Sequence, residues 1–141
     1  MLLFASPEPE GVGMIPASDV VIAGVAIGDS PAQVKAKLGA PNATEDTQDY
    51  LSLHYHYPHV RVSFSGDVVA GLFTSSERGC TPKGLCPGDS LEKMRRLYGE
   101  PLKTDRETGR FYEYYGTELY CWFQIPDQGD KVLSITVACQ P

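Results

Sequence analysis

Two stretches of the chain place apolar residues at helical spacing between a start signal and a stop signal. In the first stretch, Val34 and Leu38 lie four residues apart and follow Ser30 and Pro31. A serine N-cap, proline at the first helical position and glutamine three residues after the cap are typical of a helix start. A glycine that permits a left-handed backbone then ends such a helix. The pattern predicts one helix between Ser30 and Gly39.

The second stretch repeats this arrangement. Leu91, Met94 and Tyr98 fall on one helical face, and the Asp-Ser dipeptide at 89–90 is placed to cap the helix. Gly99, with a proline two residues later, provides the stop signal. The sequence therefore predicts a second helix that ends at Gly99.

After each helix the apolar period changes from about four to two, which predicts antiparallel strands. In the first half, one face is formed by Leu51, Leu53, Tyr55 and Tyr57, and then by Val60, Val62 and Phe64. In the second half, the corresponding residues are Leu119, Cys121, Phe123 and Ile125, and then Leu133, Ile135, Val137 and Cys139. A tight turn over PDQGD would place Ile125 opposite Lys131.

Seven residues recur at a constant offset of sixty positions. The matched pairs are Gly24/Gly84, Gly28/Gly88, Asp29/Asp89, Ser30/Ser90, Gly39/Gly99, Pro41/Pro101 and Thr44/Thr104. Chance gives about one match in a window of this length. The coincidence predicts a tandem repeat, with a flexible leader at 1–20, a first helix-plus-sheet repeat at 21–78 and a second at 79–141.

The predicted fold class follows from these elements. It is α+β, with two tandem repeats that each contain a short helical segment followed by a three- or four-stranded antiparallel sheet. One helix on so small a sheet buries little apolar surface, so we expect the repeats to share a core or form one continuous sheet.

Composition and charge narrow the choice of partner. The 141 residues suit one ordinary domain or two very small ones, and a formal charge of -6 disfavours nucleic acid and anionic membranes. No apolar run approaches the ~20 residues of a membrane-spanning helix, so no transmembrane segment is expected. The remaining expectation is a protein partner.

Four cysteines, Cys80, Cys86, Cys121 and Cys139, all lie in the second half. Their spacing does not match a zinc site, and their even number predicts two disulfides in a periplasmic or extracellular protein. Reduced core thiols are the alternative. In the expected register Cys121 and Cys139 lie four residues apart along the ladder, which is too far for a bridge. We therefore expect one or both of them to pair with Cys80 or Cys86.

Alternation also predicts a binding surface. If Cys121 and Phe123 face the helix, Tyr120 and Trp122 project from the other side of the sheet. We expect Tyr112 and Tyr114 to join them, together with His54, His56 and Arg61 from the first half. Aromatic side chains bring large apolar area to a protein interface at low entropy cost, whereas packing between the repeats is the alternative role.

The three histidines, His54, His56 and His59, also permit a different interpretation. His54 and His56 share one strand face about 6.6 Å apart, which allows a shared metal ion if a third ligand folds in. A polar strand face is the simpler interpretation, so no metal and no other cofactor is predicted. No nucleophile elbow, phosphate loop or catalytic set is present, so we expect no enzyme activity.

The motif GDSxxxVxxxLGxP at 28–41, followed by an antiparallel sheet, and its counterpart GDSLEKMRRLYGEP at 88–101 resemble a known fold. It is that of the β-lactamase inhibitor proteins and of the small outer-membrane lipoproteins of the SmpA/OmlA type, and the likeness covers about residues 21–139. In the inhibitors a sheet rich in aromatic residues grips an enzyme, and in the lipoproteins one unit serves an envelope assembly machine. The resemblance implies fold more than function.

The sequence thus predicts an exported, non-enzymatic protein-binding module, in the form of an enzyme inhibitor or immunity-like protein that uses the aromatic face. The first alternative is an envelope assembly or scaffold factor, and the second is a periplasmic metal-binding protein.

Overall fold

The computed structural model describes residues 11–141, in which two α-helices accompany one large sheet. The helices are α1 (Pro31–Leu38) and α2 (Leu91–Tyr98), and a short 3-10 helix spans Ala17–Asp19. The strands are β1 (Met14–Ile15), β2 (Val21–Ile22), β3 (Val25–Ala26), β4 (Ala43–Asp46), β5 (Leu53–His56), β6 (Arg61–Ser65), β7 (Val68–Thr74), β8 (Leu102–Arg106), β9 (Gly109–Gly116), β10 (Cys121–Pro126) and β11 (Ile135–Cys139).

Strands β4 to β7 and β8 to β11 form two antiparallel series that meet in the middle of the sheet. The nine-stranded sheet has the order β1-β9-β10-β11-β7-β6-β5-β4, and β8 also pairs with β9. The junction is an antiparallel pairing of β7 with β11, and β1 runs parallel to β9. Strands β2 and β3 form a separate hairpin. The predicted α+β class with a mostly antiparallel sheet is confirmed.

Both helices begin as the sequence predicts. The Ser30 hydroxyl accepts a hydrogen bond from the Gln33 backbone N–H at 3.1 Å, and the Gln33 side chain accepts one from the Ser30 N–H at 2.7 Å. At α2, the Ser90 hydroxyl accepts from the Lys93 N–H at 3.0 Å. Each cap satisfies N–H groups that have no partner within the helix.

The helix ends differ in one respect from the prediction. Gly39 and Gly99 both have positive φ, 83° and 82°, but their ψ values of -167° and -168° lie far from the left-handed helical region. A glycine is still required, because other residues rarely adopt this φ.

Both helices pack on the same side of the sheet. The Tyr98 ring of α2 lies 5.6 Å from the Tyr114 ring and 5.8 Å from the Phe123 ring. Across the sheet, Lys35 of α1 lies over the ring of Tyr55, which lies opposite buried Val62. We call this the helix face, and we call the opposite side of the same strands the open face.

The N-terminal segment corrects the predicted leader. Residues 14–20 belong to the folded structure, because β1 extends the edge of β9 and the side chains of Ile15 and Val20 are buried. The glycines and prolines of this segment bound very short elements, which is why its pattern resembled a loose chain. Residues 1–10 of the predicted leader lie outside the described residues.

The register of the last hairpin also corrects the prediction. Ile125 does not pair with Lys131, and Cys121 lies directly opposite Cys139. The segment 130–132 pairs instead with the start of α2, where Leu91 N–H donates to the Asp130 carbonyl at 3.0 Å. Because these residues serve the helix start, the connection is longer than a tight turn and the register moves by four positions.

Candidate functional site: the open face of the sheet

The strand register places two rows of side chains across the open face. One row contains Tyr115, Trp122, Ala138, Gly71, Ser63, His54 and Glu45. The other contains Glu113, Gln124, Thr136, Phe73, Arg61, His56 and Ala43. The open face is thus polar and aromatic, with its smallest side chains in the middle.

A buried carboxylate organises one end of this face. The Glu113 side chain is fully buried, and its two oxygens accept hydrogen bonds from Arg106 Nε at 3.0 Å and Arg106 Nη2 at 2.7 Å. It also accepts from the Tyr115 hydroxyl at 2.7 Å and from Gln124 Nε2 at 2.9 Å. A buried charge requires such partners, and here three side chains supply them.

This network keeps the carboxylate ionised. Burial by itself raises the pKa of Glu113, but hydrogen bonds from Arg106 and Tyr115 outweigh it and hold the pKa below its ordinary value. Burial and the adjacent Glu113 carboxylate raise the pKa of the Tyr115 hydroxyl. Glu113 therefore stays charged and Tyr115 stays neutral near pH 7.

Trp122 lies against the same cluster. Its ring stacks on the Tyr115 ring with centroids 5.3 Å apart and an interplanar angle of 23°, and the Arg106 guanidinium lies 5.4 Å from the indole centroid. The Arg106 side chain also donates to the Tyr115 hydroxyl at 3.0 Å. Stacking and cation–π contact fix the indole orientation before any partner arrives.

Arg61 forms a second cation–aromatic pair on this face. Its guanidinium lies 5.0 Å from the ring centroid of Phe73, directly across from it in β7. The neighbouring histidines have partners, because His54 Nδ1 lies 2.7 Å from the Ser63 hydroxyl and His56 Nε2 lies 3.1 Å from a Glu45 carboxylate oxygen. The predicted residues His54, His56 and Arg61 thus share the face with Trp122.

The open face differs in charge from the protein as a whole, which carries a net charge of -6. Its strand positions in β4 to β11 carry two carboxylates, and the one at Glu113 is buried and paired with Arg106. The same positions carry two arginines and two histidines. The acidic excess is located elsewhere, so this face does not repel an acidic ligand as the net charge would suggest.

Two of the four predicted aromatic residues lie on the other side of the sheet from the one expected. Tyr112 and Tyr114 do not lie on the open face, because they pair directly with Ile125 and Phe123 and are buried with them on the helix face. Their hydroxyls donate to an Asp127 carboxylate oxygen at 2.9 Å and to the Gly99 carbonyl at 2.6 Å.

The other two aromatic residues are at least partly accessible to solvent. Tyr120 precedes β10 and is 78% exposed, and Trp122 is half-buried. Alternation along β10 puts Trp122 on the side away from the helices.

Comparison with solved structures supports the fold. An extracellular protein containing an SCP domain from Bacillus anthracis superposes with a TM-score of 0.57 at 14% identity, covering 81% of this chain and 44% of that chain. A cysteine-rich secretory protein from Staphylococcus aureus gives 0.64 at 15% identity, covering 92% and 49%. A DUF4309 family protein from Bacillus subtilis gives 0.54 at 10% identity, covering 79% of each.

The likeness is one of fold alone. The chain spans less than half the length of the first two structures. No protein-family model and no curated protein sequence matches it. None of the three structures is described as a β-lactamase inhibitor or an SmpA/OmlA-type lipoprotein, so the resemblance stated above stays an expectation.

Both predicted disulfides are present, with a different pairing from the one expected. Cys80 bonds to Cys86, and Cys121 bonds to Cys139 across β10 and β11. Disulfides persist in oxidising compartments. Together with the extracellular and secretory neighbours, they fit the predicted periplasmic or extracellular localisation.

Residues 11–141 contain neither a metal-binding cluster nor a membrane-spanning helix. Among residues 11–141, no group of three His, Cys, Asp or Glu is arranged to hold a metal ion. His59 has a hydrogen-bond partner of its own, since its Nδ1 lies 2.9 Å from the Ser76 hydroxyl. None of the helices in the described part of the protein has the length and hydrophobicity that crossing a bilayer requires.

Sequence reasoning missed Arg106, Glu113 and Tyr115. The alternation of FYEYY at 111–115 contained a usable signal, because residues two apart share a strand face. A glutamate between two buried tyrosines must then share the face of Tyr115. Its partner Arg106 comes from the adjacent strand, and that contact depends on a register the sequence did not reveal.

Proposed function

We propose that this protein is an exported, non-enzymatic protein-binding module that captures its partner on the open face. The observation that carries the proposal is the stacked arrangement of Trp122 with Tyr115 and Arg106 above the buried Glu113 carboxylate. Tryptophan, tyrosine and arginine are the residues most enriched at energetic centres of protein interfaces. Here they are already ordered in the free protein, so little side-chain entropy is lost on binding.

The rest of the face supports the same role. Tyr120, two residues before Trp122, adds an exposed ring, and Arg61 on Phe73 provides a second cationic position in the other half of the sheet. The helices occupy the opposite side, so a flat partner surface meets no obstruction from them. An enzyme inhibitor or immunity-like protein fits this geometry, because such proteins act by occlusion and need no catalytic groups of their own.

We further infer that the two halves are copies of one helix-plus-sheet unit. Equivalent residues make equivalent contacts: Asp29 accepts from the Ala26 N–H, and Asp89 accepts from the Cys86 N–H. In each half a tyrosine hydroxyl also donates to the glycine carbonyl that follows the helix, Tyr57 to Gly39 and Tyr114 to Gly99. Antiparallel pairing of β7 with β11 then joins two small sheets into one wide binding face.

The test is affinity capture from the native extracellular medium or cell envelope. The bait is the wild-type protein or a double variant, Tyr120→Ala with Trp122→Ala. The matched control is Leu133→Ala, which removes an exposed apolar side chain outside the sheet. We expect the double variant to lose the partner and the control to retain it, with far-UV circular dichroism unchanged in both.

Two outcomes would count against the proposal. Retention of the partner by the folded double variant would exclude the aromatic cluster as its binding site. Turnover of a substrate that is retained after purification would contradict the non-enzymatic role. A permanent complex with membrane-anchored assembly proteins would instead favour the envelope scaffold factor.

A further inference from the structure

The centre of the open face contains a depression that the proposed function does not yet use. Ser63 lies opposite Gly71 in the sheet, and Ala138 lies opposite Trp122, so a zone of small side chains adjoins the indole. Leu51 from the β4–β5 connection packs directly over Gly71 and borders this zone, since a Cβ added at Gly71 would lie 3.1 Å from its Cδ1 atom. We call this zone the central depression.

Its size suits one apolar side chain. The central depression has a volume of ≈ 160 Å³ and is open to solvent on one side, and its lining also includes Tyr50, Arg61 and the aliphatic edge of β7 and β11. A protein cavity of about 150 Å³ accommodates benzene. A single phenylalanine- or leucine-sized side chain therefore fits.

An arginine that forms no ion pair with any other residue of 11–141 borders this apolar zone. Arg61 lines the central depression and is exposed, and among residues 11–141 it forms no ion pair. The adjacent carboxylate at Glu45 lies 3.1 Å from His56. Stacking on Phe73 fixes the guanidinium plane, and within residues 11–141 no side chain or backbone group accepts a hydrogen bond from the Arg61 guanidinium.

We propose that the central depression binds a protein segment presenting one phenylalanine- or leucine-sized side chain beside a carboxylate, which pairs with Arg61. Arginine donates two parallel hydrogen bonds to a carboxylate, so this charge fixes the orientation of the inserted side chain. The inference rests on the proposed function and gives the chemistry of its partner. The carboxylate is that of an Asp or Glu next to the inserted residue in the bound segment.

Four short peptides distinguish the contribution of the carboxylate from that of the aromatic ring in an NMR titration of the ¹⁵N-labelled protein. Ac-Ala-Phe-Glu-NH2 carries its carboxylate on the glutamate side chain, and Ac-Ala-Phe-OH carries a terminal one. Ac-Ala-Phe-Gln-NH2 lacks the charge, and Ac-Ala-Ala-Glu-NH2 lacks the ring. We expect Ac-Ala-Phe-Glu-NH2 to shift the amide signals of Gly71 and Ala138 and to bind about tenfold more tightly than the neutral peptide. Tight binding of Ac-Ala-Phe-OH alone would contradict the side-chain carboxylate and indicate a C-terminus instead.

Two variants test separately the charge of Arg61 and the space in the central depression. Arg61→Gln should bring the dissociation constants of the charged and neutral Phe peptides within about twofold of each other. Ala138→Leu should weaken every Phe peptide, because the added side chain fills the central depression. Arg96→Gln, an exposed change on α2, is the control and should alter none of the affinities.

Several results would overturn this inference. They are equal affinity of the wild type for charged and neutral peptides, unchanged preference in Arg61→Gln, or shifts confined to the helix face. Arg61 is exposed, so its variant remains informative if Ala138→Leu does not fold. Concentration-dependent shifts of Gly71 and Ala138 without peptide would identify a second copy of the protein as the occupant instead.

The two proposals can fail separately. If partner capture requires Trp122 but no charged peptide binds, the proposed function stands and the chemistry assigned to the central depression is wrong. If charged peptides bind but the aromatic double variant still captures its partner, the aromatic cluster is not the capture site.

Discussion

Replacing Glu113 with glutamine tests whether the buried carboxylate, through its hydrogen bonds on the open face, stabilises the folded protein. Glu113 is fully buried and accepts two hydrogen bonds from Arg106, one from Tyr115 and one from Gln124. A hydrogen bond to a charged group contributes about 1.5–3 kcal/mol, and breaking a buried ion pair costs about 3–5 kcal/mol. The Arg106 side chain is 37% exposed, so water recovers part of its solvation. We expect Glu113→Gln to lower the free energy of unfolding by about 2–4 kcal/mol at pH 7.

Urea denaturation followed by Trp122 fluorescence measures this loss. With a urea m-value of about 2 kcal/mol/M, the midpoint should fall by about 1–2 M. Because the pKa of Glu113 is lowered on folding, its contribution is complete above its unfolded pKa of about 4.3 and is lost as the pH falls through the folded value. The difference between variant and wild type should therefore shrink below about pH 4.

The control is Glu107→Gln, in the exposed turn between β8 and β9. It should remain within about 0.5 kcal/mol of the wild type. If Glu113→Gln also changes the free energy of unfolding by less than about 0.5 kcal/mol at pH 7, the charge of the buried carboxylate does not stabilise the protein, because a neutral amide replaces it at no cost in stability.

Three further predictions concern stability. Ser30→Ala and Ser90→Ala should each cost about 1 kcal/mol in urea denaturation, and a cost at only one site would contradict equivalent capping of the two helices. Removing the Cys121–Cys139 bridge with paired alanines should cost about 3 kcal/mol for a separation of 18 residues, and an unchanged midpoint after confirmed loss of the bridge would contradict this. Tyr114→Phe should cost about 1 kcal/mol by removing the hydrogen bond to the Gly99 carbonyl, whereas an unchanged melting temperature would show that the hydroxyl does not contribute to stability.

The helices were predictable because their signals are local. Ser30 and Ser90 each accept a hydrogen bond from a backbone N–H only three residues away. The spacing of Met94 and Tyr98 in the sequence places both residues on one helical face, and both are buried. Strand alternation was similarly reliable within β10, where Trp122 lies on the side opposite the helices.

The remaining features depend on contacts between distant segments. The start of α2 pairs with residues 130–132, and this pairing moves Cys121 opposite Cys139. Tyr114 lies on the helix face because it pairs with Phe123. The alternation in the sequence shows that Tyr114 and Tyr115 point to opposite sides of the sheet, but it does not show which of the two sides is buried. The candidate site was therefore only partly predictable, because its buried centre lies between two strands whose register was unknown.

Site-specific photo-crosslinking tests most directly whether the open face captures a partner. A benzophenone side chain is placed at Thr136, in the middle of the open face, or at Arg96 on α2, and each protein is exposed to the native medium or envelope. We predict one partner adduct from position 136 that disappears when Trp122→Ala is added, and none from position 96. An adduct from position 96 alone, or one from position 136 that is unaffected by Trp122→Ala, would contradict partner capture on the open face.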